Sequence, residues 1–248
     1  MLYIQKMKPT VAVKKEITKA RAQIATAGIN EQNVREVYRS AFDEMDKTQI
    51  RKQLLKEQHY LCGYCMRRID DSGRTTIEHL KPLSKDIENA FAYSNYMAVC
   101  DGGRGKGSKK NLCCDAAKGN TTLYIDPYNK EMMGKIKYER NGRIYVDEQN
   151  EEDKRMNQDI NYVLKLNGSI DDEGKWLYDS DSELVKNRKD EYRKYKLLIE
   201  GLKNRKLLTY GRIQSEINKL LDKVEYDEYL GVKLFFLKRK MGVLKGKH

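Results

Sequence analysis

All five cysteines of this 248-residue chain, Cys62, Cys65, Cys100, Cys113 and Cys114, fall in one stretch. Thiols gathered this way make either a disulfide framework or a metal site. In a chain of cytosolic type the clustering favours metal. The N-terminus MLYIQKMKPT has neither the apolar core nor the small-residue cleavage site of a secretory signal. No run of about 18 apolar residues is present to span a membrane, so a cytoplasmic location is expected. Cys62-Gly63-Tyr64-Cys65 is a CxxC knuckle, and its partners are Cys100 with either Cys114 or Cys113. Four thiolates in a tetrahedron suit zinc, which imposes no geometry of its own and binds sulfur well. CxxC also marks redox sites, but the βαβ pattern of such proteins is missing around it.

A chain this long can bury a core without help from metal, so the zinc is read as a local brace. The first 58 residues carry helical spacing. VAVKKEITKARAQIATAG is closed by Gly28, and NVREVYRSAFDEM and IRKQLLKEQHYL follow, with Asp46 or Thr48 as cap of the last. Residues 59–130 lose that period, gather Gly, Cys and Asn, and contain short β-like runs at 75–77 and 97–99. Residues 131–155 hold a β-hairpin, because Asn141-Gly142 suits a type I′ turn, and the acidic residues 148–154 read as a solvated loop. Helices return over 156–248. Val232, Leu234, Phe235, Phe236 and Leu237 are expected to be buried there, with Lys238-Arg239-Lys240 outside.

Between the cysteine clusters lies Thr76-Ile77-Glu78-His79-Leu80-Lys81-Pro82. Strand alternation sends adjacent side chains to different sides, so Glu78 can hold a divalent cation while His79 faces a substrate. Glu78 with Asn120 would make a small oxygen site of the kind Mg²⁺ or Mn²⁺ accepts when a phosphate completes the shell. The formal charge of +12 points to a polyanionic partner once joined to such a site. Gly102-Gly103-Arg104-Gly105-Lys106-Gly107 does not follow the P-loop pattern. His59 and Trp176 are read as packing residues.

The order Glu-His, then Asn, then Cys-x-x-x-Lys-Gly-Asn, framed by cysteine pairs, resembles the HNH endonuclease (ββα-metal) family. More narrowly, three features are similar to the PtuB-like HNH proteins of Septu-type and retron-associated anti-phage defence systems. They are Leu54-Leu55-Lys56-Glu57-Gln58 before the knuckle, Ile77-Glu78-His79, and Cys114-Asp115-Ala116-Ala117-Lys118-Gly119-Asn120. The likeness covers residues 54–120 closely; Asp126-Pro127-Tyr128, the hairpin and the C-terminal helices fit more loosely. It implies His79 as general base, Asn95 as brace of the active-site loop, and Glu78 with Asn120 as ligands of a catalytic Mg or Mn ion. It also implies Cys114 rather than Cys113 as the fourth zinc ligand. The chain departs from the family in having Glu78 where many members have Asp. Its third HNH position, often His, falls to Asn120 or Asp115, of which Asn120 is preferred because Asp115 adjoins a zinc ligand.

The expectation is therefore an α+β protein, a zinc-braced ββα-metal core within a mainly helical frame, hydrolysing phosphodiester bonds of DNA, with RNA as a second candidate substrate. Lys81, Arg104, Lys106 and Lys118 are the expected nucleic-acid contacts, and the resemblance implies an ATPase partner. The other reading is a non-catalytic zinc-ribbon module that binds nucleic acid or protein.

Overall fold

A computed structural model describes residues 1–104, 112–168 and 182–246. Lys106 and Trp176 lie outside the described residues. The fold mixes small β elements with predominating helices, and no described helix is long and apolar enough to cross a membrane.

Three helices open the chain: α1 (Val11–Thr26), α2 (Val34–Glu44) and α3 (Thr48–Glu57). In α1 the buried side chains Val13, Ile17, Ala20 and Ile24 recur every three or four residues and make one apolar stripe. Thr10 caps it by accepting from the Val13 amide, satisfying one of the donors a helix start leaves open. The helix stops at Thr26, short of Gly28. Asp46 Oδ1 accepts from the Thr48 amide at 2.9 Å at the start of α3. Ile50, Leu54 and Leu55 of α3 are fully buried.

Strands β1 (Thr76–His79) and β2 (Tyr96–Val99) pair antiparallel, with Glu78 opposite Met97 and His79 opposite Tyr96. The short helix α4 (Cys114–Lys118) follows, then α5 (Lys130–Gly134) and the ribbon β3 (Lys137–Tyr138) and β4 (Ile144–Tyr145). The hairpin expected at Asn141-Gly142 is present, but the turn is not type I′. Only Gly142 takes a positive φ, 96°, while Asn141 does not. Gly142 N donates to Glu139 O, and Glu139 N to Arg143 O. This is the longer loop in which a left-handed glycine closes a turn of ordinary hand. Gly142 is also required by contact: a Cβ there would lie 2.1 Å from the Val185 carbonyl oxygen.

The acidic stretch expected to be a loop is instead the start of α6 (Glu151–Gln158), capped by Asn150. Glu151, Glu152 and Asp153 fill its first turn, where carboxylates meet the positive end of the helix dipole. A π-turn (Asp159–Val163) continues it. Asn167 closes the outer edge of β4 by accepting from and donating to Ile144, and Asn157 does the same at Val146 just past the strand. An otherwise open edge is thereby paired.

Helices α7 (Glu183–Asn204), α8 (Tyr210–Leu221) and α9 (Leu230–Lys245) complete the chain. Val232, Leu234, Phe236 and Leu237 are buried, Phe235 is half-buried, and Lys238 and Arg239 lie outside. One core runs through all four sequence segments. One apolar cluster takes in Ile17 and Leu54, Tyr96 and Ile125, Ile144, and Ile160 and Phe236. A satellite cluster of Leu202, Ile213, Ile217 and Leu234 joins the last three helices.

Candidate metal centre and adjoining cleft

The knuckle begins where α3 ends. Cys62 N donates to Arg67 O and Met66 N to Cys62 O, folding Cys62 and Cys65 toward one point. Gly63 lets the turn lie against β2: a Cβ would sit 2.2 Å from Met97 Sδ, and its amide donates to Ala98 O. Cys100 follows β2 directly, and Cys114 opens α4. The ligand atoms of Cys62, Cys65, Cys100 and Cys114 all lie within 4.8 Å of one another, and all four residues are buried. The Cys65–Cys100 sulfurs are 3.8 Å apart and those of Cys62 and Cys114 4.0 Å. A tetrahedron with Zn–S bonds of about 2.3 Å has edges of about 3.8 Å, so the cluster fits a metal such as zinc. Cys113 is buried beside the set but outside it, in line with the choice of Cys114.

Cations flank the sulfurs. Burial lowers the Arg67 pKa, but the charges of Cys65, Tyr229 and Cys100 outweigh it and raise the net value above the ordinary range. Arg188 is wholly buried, which lowers its pKa while Tyr138, Tyr229, Cys65 and Cys114 oppose the shift. It donates to the carbonyls of Gly142 and Leu166, both at 2.6 Å. Residues of the C-terminal part strap the knuckle: Tyr226 N donates to His59 O, Tyr229 N to Met66 O, and Glu228 accepts from Arg68 N. His59 packs as expected, stacked 3.7 Å from the Tyr226 ring.

Beside the cluster opens a cleft of about 540 Å³, lined among others by Glu78, His79, Asp115, Lys118 and Asn120. Glu78 and His79 both reach it, although alternation predicts opposite directions. Among the described residues β1 pairs only with β2, and all four residues of β1 line the cleft. His79 Nε2 lies 2.9 Å from the Ala90 carbonyl oxygen. A carbonyl only accepts, so Nε2 carries the hydrogen and Nδ1 is left with its lone pair. The ring is held by Phe42 at 4.4 Å and edge-on by Tyr96 at 5.1 Å. Burial, with help from Lys118 and Lys47, lowers its pKa to about 4 against the Ala90 hydrogen bond. The imidazole is neutral at physiological pH.

Glu78 is buried. Burial first, then its hydrogen bond with Asp115, pushes its pKa up to about 8, with Lys118 pulling the other way. Tyr64, from within the knuckle, donates to Glu78 at 3.3 Å, so the carboxyl is one side chain away from the cysteine cluster. Asp115 sits next to Cys114 and takes Arg104 at 2.8 Å. Two carboxyls in contact in a dry place need a shared proton or added positive charge.

Several expected roles shift here. Lys118, expected to touch nucleic acid, is 2% exposed. One turn along α4 from Asp115, it faces inward, pairs with Glu78 at 2.5 Å and donates to His79 O at 3.1 Å. Asn120 lines the cleft but is exposed, turned outward after Gly119 ends α4 with a φ of 52°. The carboxyl brought onto Glu78 is that of Asp115. Arg104 is half-exposed and committed to Asp115, while Lys81 is exposed and lies 3.6 Å from Asp86. Asn95 is buried and ties down the loop after β1: it accepts from Lys81 N at 2.8 Å and donates to Lys81 O and Asn89 O. Sequence spacing did not single out Arg35 and Arg39 of α2, which line the same cleft; an i, i+4 arginine pair was the available signal. No protein-family model matches the chain, and no curated protein matches it significantly.

Proposed function

We propose that this chain is an HNH-type, metal-dependent endonuclease that hydrolyses phosphodiester bonds of DNA. The observation that carries the reading is His79: a neutral imidazole with Nε2 pinned to a carbonyl and Nδ1 free, in one cleft with the Glu78–Asp115 pair. Nδ1 takes a proton from the attacking water, a role suited to a base that stays neutral. Asn95 keeps the loop, and with it the Ala90 carbonyl, in place. Glu78 and Asp115 are the residues that would hold Mg²⁺ or Mn²⁺, with Asn120 at the rim. The donor set fits, since carboxylate and amide oxygens are the hard ligands such ions take. When bound, the ion supplies Lewis-acid stabilisation of the phosphorane-like centre and the leaving oxygen. Zinc at the four cysteines braces the scaffold, and Tyr64 transmits that rigidity to Glu78. The resemblance of residues 54–120 to defence-system HNH proteins supports a role as nuclease effector in a bacterial anti-phage system, in the cytoplasm and with an ATPase partner.

A second reading, a non-catalytic zinc-ribbon module, draws on one observation: Glu78 and Asp115 already have Lys118 and Arg104 as counter-charges. Plasmid nicking with Mg²⁺ or Mn²⁺ separates the two. Cleavage reduced about 10²–10⁴-fold in His79→Ala supports the nuclease. Cleavage that survives the substitution refutes the mechanism, and binding without cleavage favours the module.

A further inference from the structure

We propose that Arg35 and Arg39 form the grip on the sugar-phosphate backbone, on the α2 wall of the cleft; this rests on the nuclease reading. Both side chains line the cleft that holds His79. They are exposed, and neither forms an ion pair or hydrogen bond among the described residues. Other helix arginines are engaged: Arg193 pairs with Asp190 and Arg212 with Glu216, while Arg155 and Arg239 lie over the Tyr124 and Phe235 rings. At i and i+4 their Cβ atoms are roughly 5–6 Å apart on one helix face, so the two guanidinium forks can take one phosphate or adjacent ones.

Their distance from the reacting centre is set by packing. Phe42, on the same helix, lies against His79 at 4.4 Å, and Lys47 sits over the Phe42 ring at 4.6 Å. A phosphate held by the α2 wall is thereby placed relative to Nδ1. The inner carboxyls already have Lys118 and Arg104 as partners, so the unspent donors face in from α2. Glu36 and Asp43 line the same wall and offset the arginines in net charge. Recognition therefore comes from directed, bidentate hydrogen bonds more than from a broad positive field. Among the described residues, the one Phe, Tyr or Trp that lines the cleft, Phe42, is packed on His79. With no free ring among the described lining residues on which a base could stack, the grip reads backbone and not sequence.

The test uses the full chain carrying His79→Ala, with a short labelled DNA duplex of two unrelated sequences, titrated at several salt concentrations. Adding Arg35→Gln and Arg39→Gln should weaken binding about tenfold per arginine, equally for both sequences. The slope of log K against log salt should fall by about 1 for each. Metal content and thermal melting should match the parent, because both side chains are on the surface. An unchanged affinity and slope, or a loss confined to one sequence, overturns the arginine proposal while leaving the nuclease reading intact, provided the wild-type chain cuts the duplex. A wild-type chain that neither binds nor cuts DNA or RNA overturns the nuclease reading, and the grip falls with it.

Discussion

Replacing His79 with glutamine should make the protein less sensitive to acid. The unfolded chain takes up a proton on this ring near 6.5, whereas the folded chain resists until about 4. As the pH falls through that window the unfolded state binds more protons, so stability is lost. The contribution is fully present above 6.5 and gone below about 4. At about 1.36 kcal/mol for each tenfold change in proton affinity, the ceiling is about 3.4 kcal/mol, and at about pH 5 the share lost is about 2 kcal/mol. Residual exposure of the ring trims these figures through solvent screening. Glutamine can still donate to the Ala90 carbonyl but does not titrate. Metal-binding thiolates are also protonated in acid, which lowers the stability of both proteins alike. The difference between wild type and His79→Gln isolates the ring. Thermal melts at about pH 7.5 and about pH 5 should show the wild type losing roughly 4–8 °C more than the variant. Parallel losses would refute the burial-driven shift, and with it the claim that Nδ1 stays a free base in mild acid.

Cys114→Ser should release the bound metal while Cys113→Ser retains it, read by metal analysis of the purified proteins; retention in both would mean Cys113 can take over. Lys118→Met should leave the Glu78–Asp115 pair without its buried cation and cost about 3 kcal/mol. Adding Glu78→Gln should restore much of that loss, and a denaturant-melt double-mutant cycle that comes out additive would count against the pairing. Arg188→Met should strip donors from Gly142 O and Leu166 O and cost at least about 2–3 kcal/mol by denaturant unfolding; a variant as stable as the parent would mean those carbonyls find other donors.

Features that depend on neighbouring residues were legible in the sequence. The helical stripes of α1 and α3, the β-like runs of β1 and β2, the hairpin and the clustering of the cysteines all follow from local spacing, while the choice of Cys114 over Cys113 rests on the family resemblance. The corrections have long-range causes. The Asn141-Gly142 turn is set by contact with Val185 and Arg188 of α7, not by the dipeptide's own preference. The acidic 148–154 stretch reads as solvated from its charge alone, because the helix dipole that Glu151, Glu152 and Asp153 meet exists only once α6 forms. The inward aim of Lys118 and Asp115 depends on where α4 begins, which Cys114 settles by reaching the cysteine cluster. The arginines of α2 gain meaning only when Phe42 docks that helix on His79.

Because residues 226–229 strap the knuckle, a metal taken into the cysteine cage would share one equilibrium with the docking of α9. Filling the cysteine cage stiffens the loop to which those residues are sewn, and holding the last helix in place favours the filled cage by the same free energy. A ligand seated on the C-terminal helices would thus be felt as a change in metal affinity, and a chelator as a loosening of the helices.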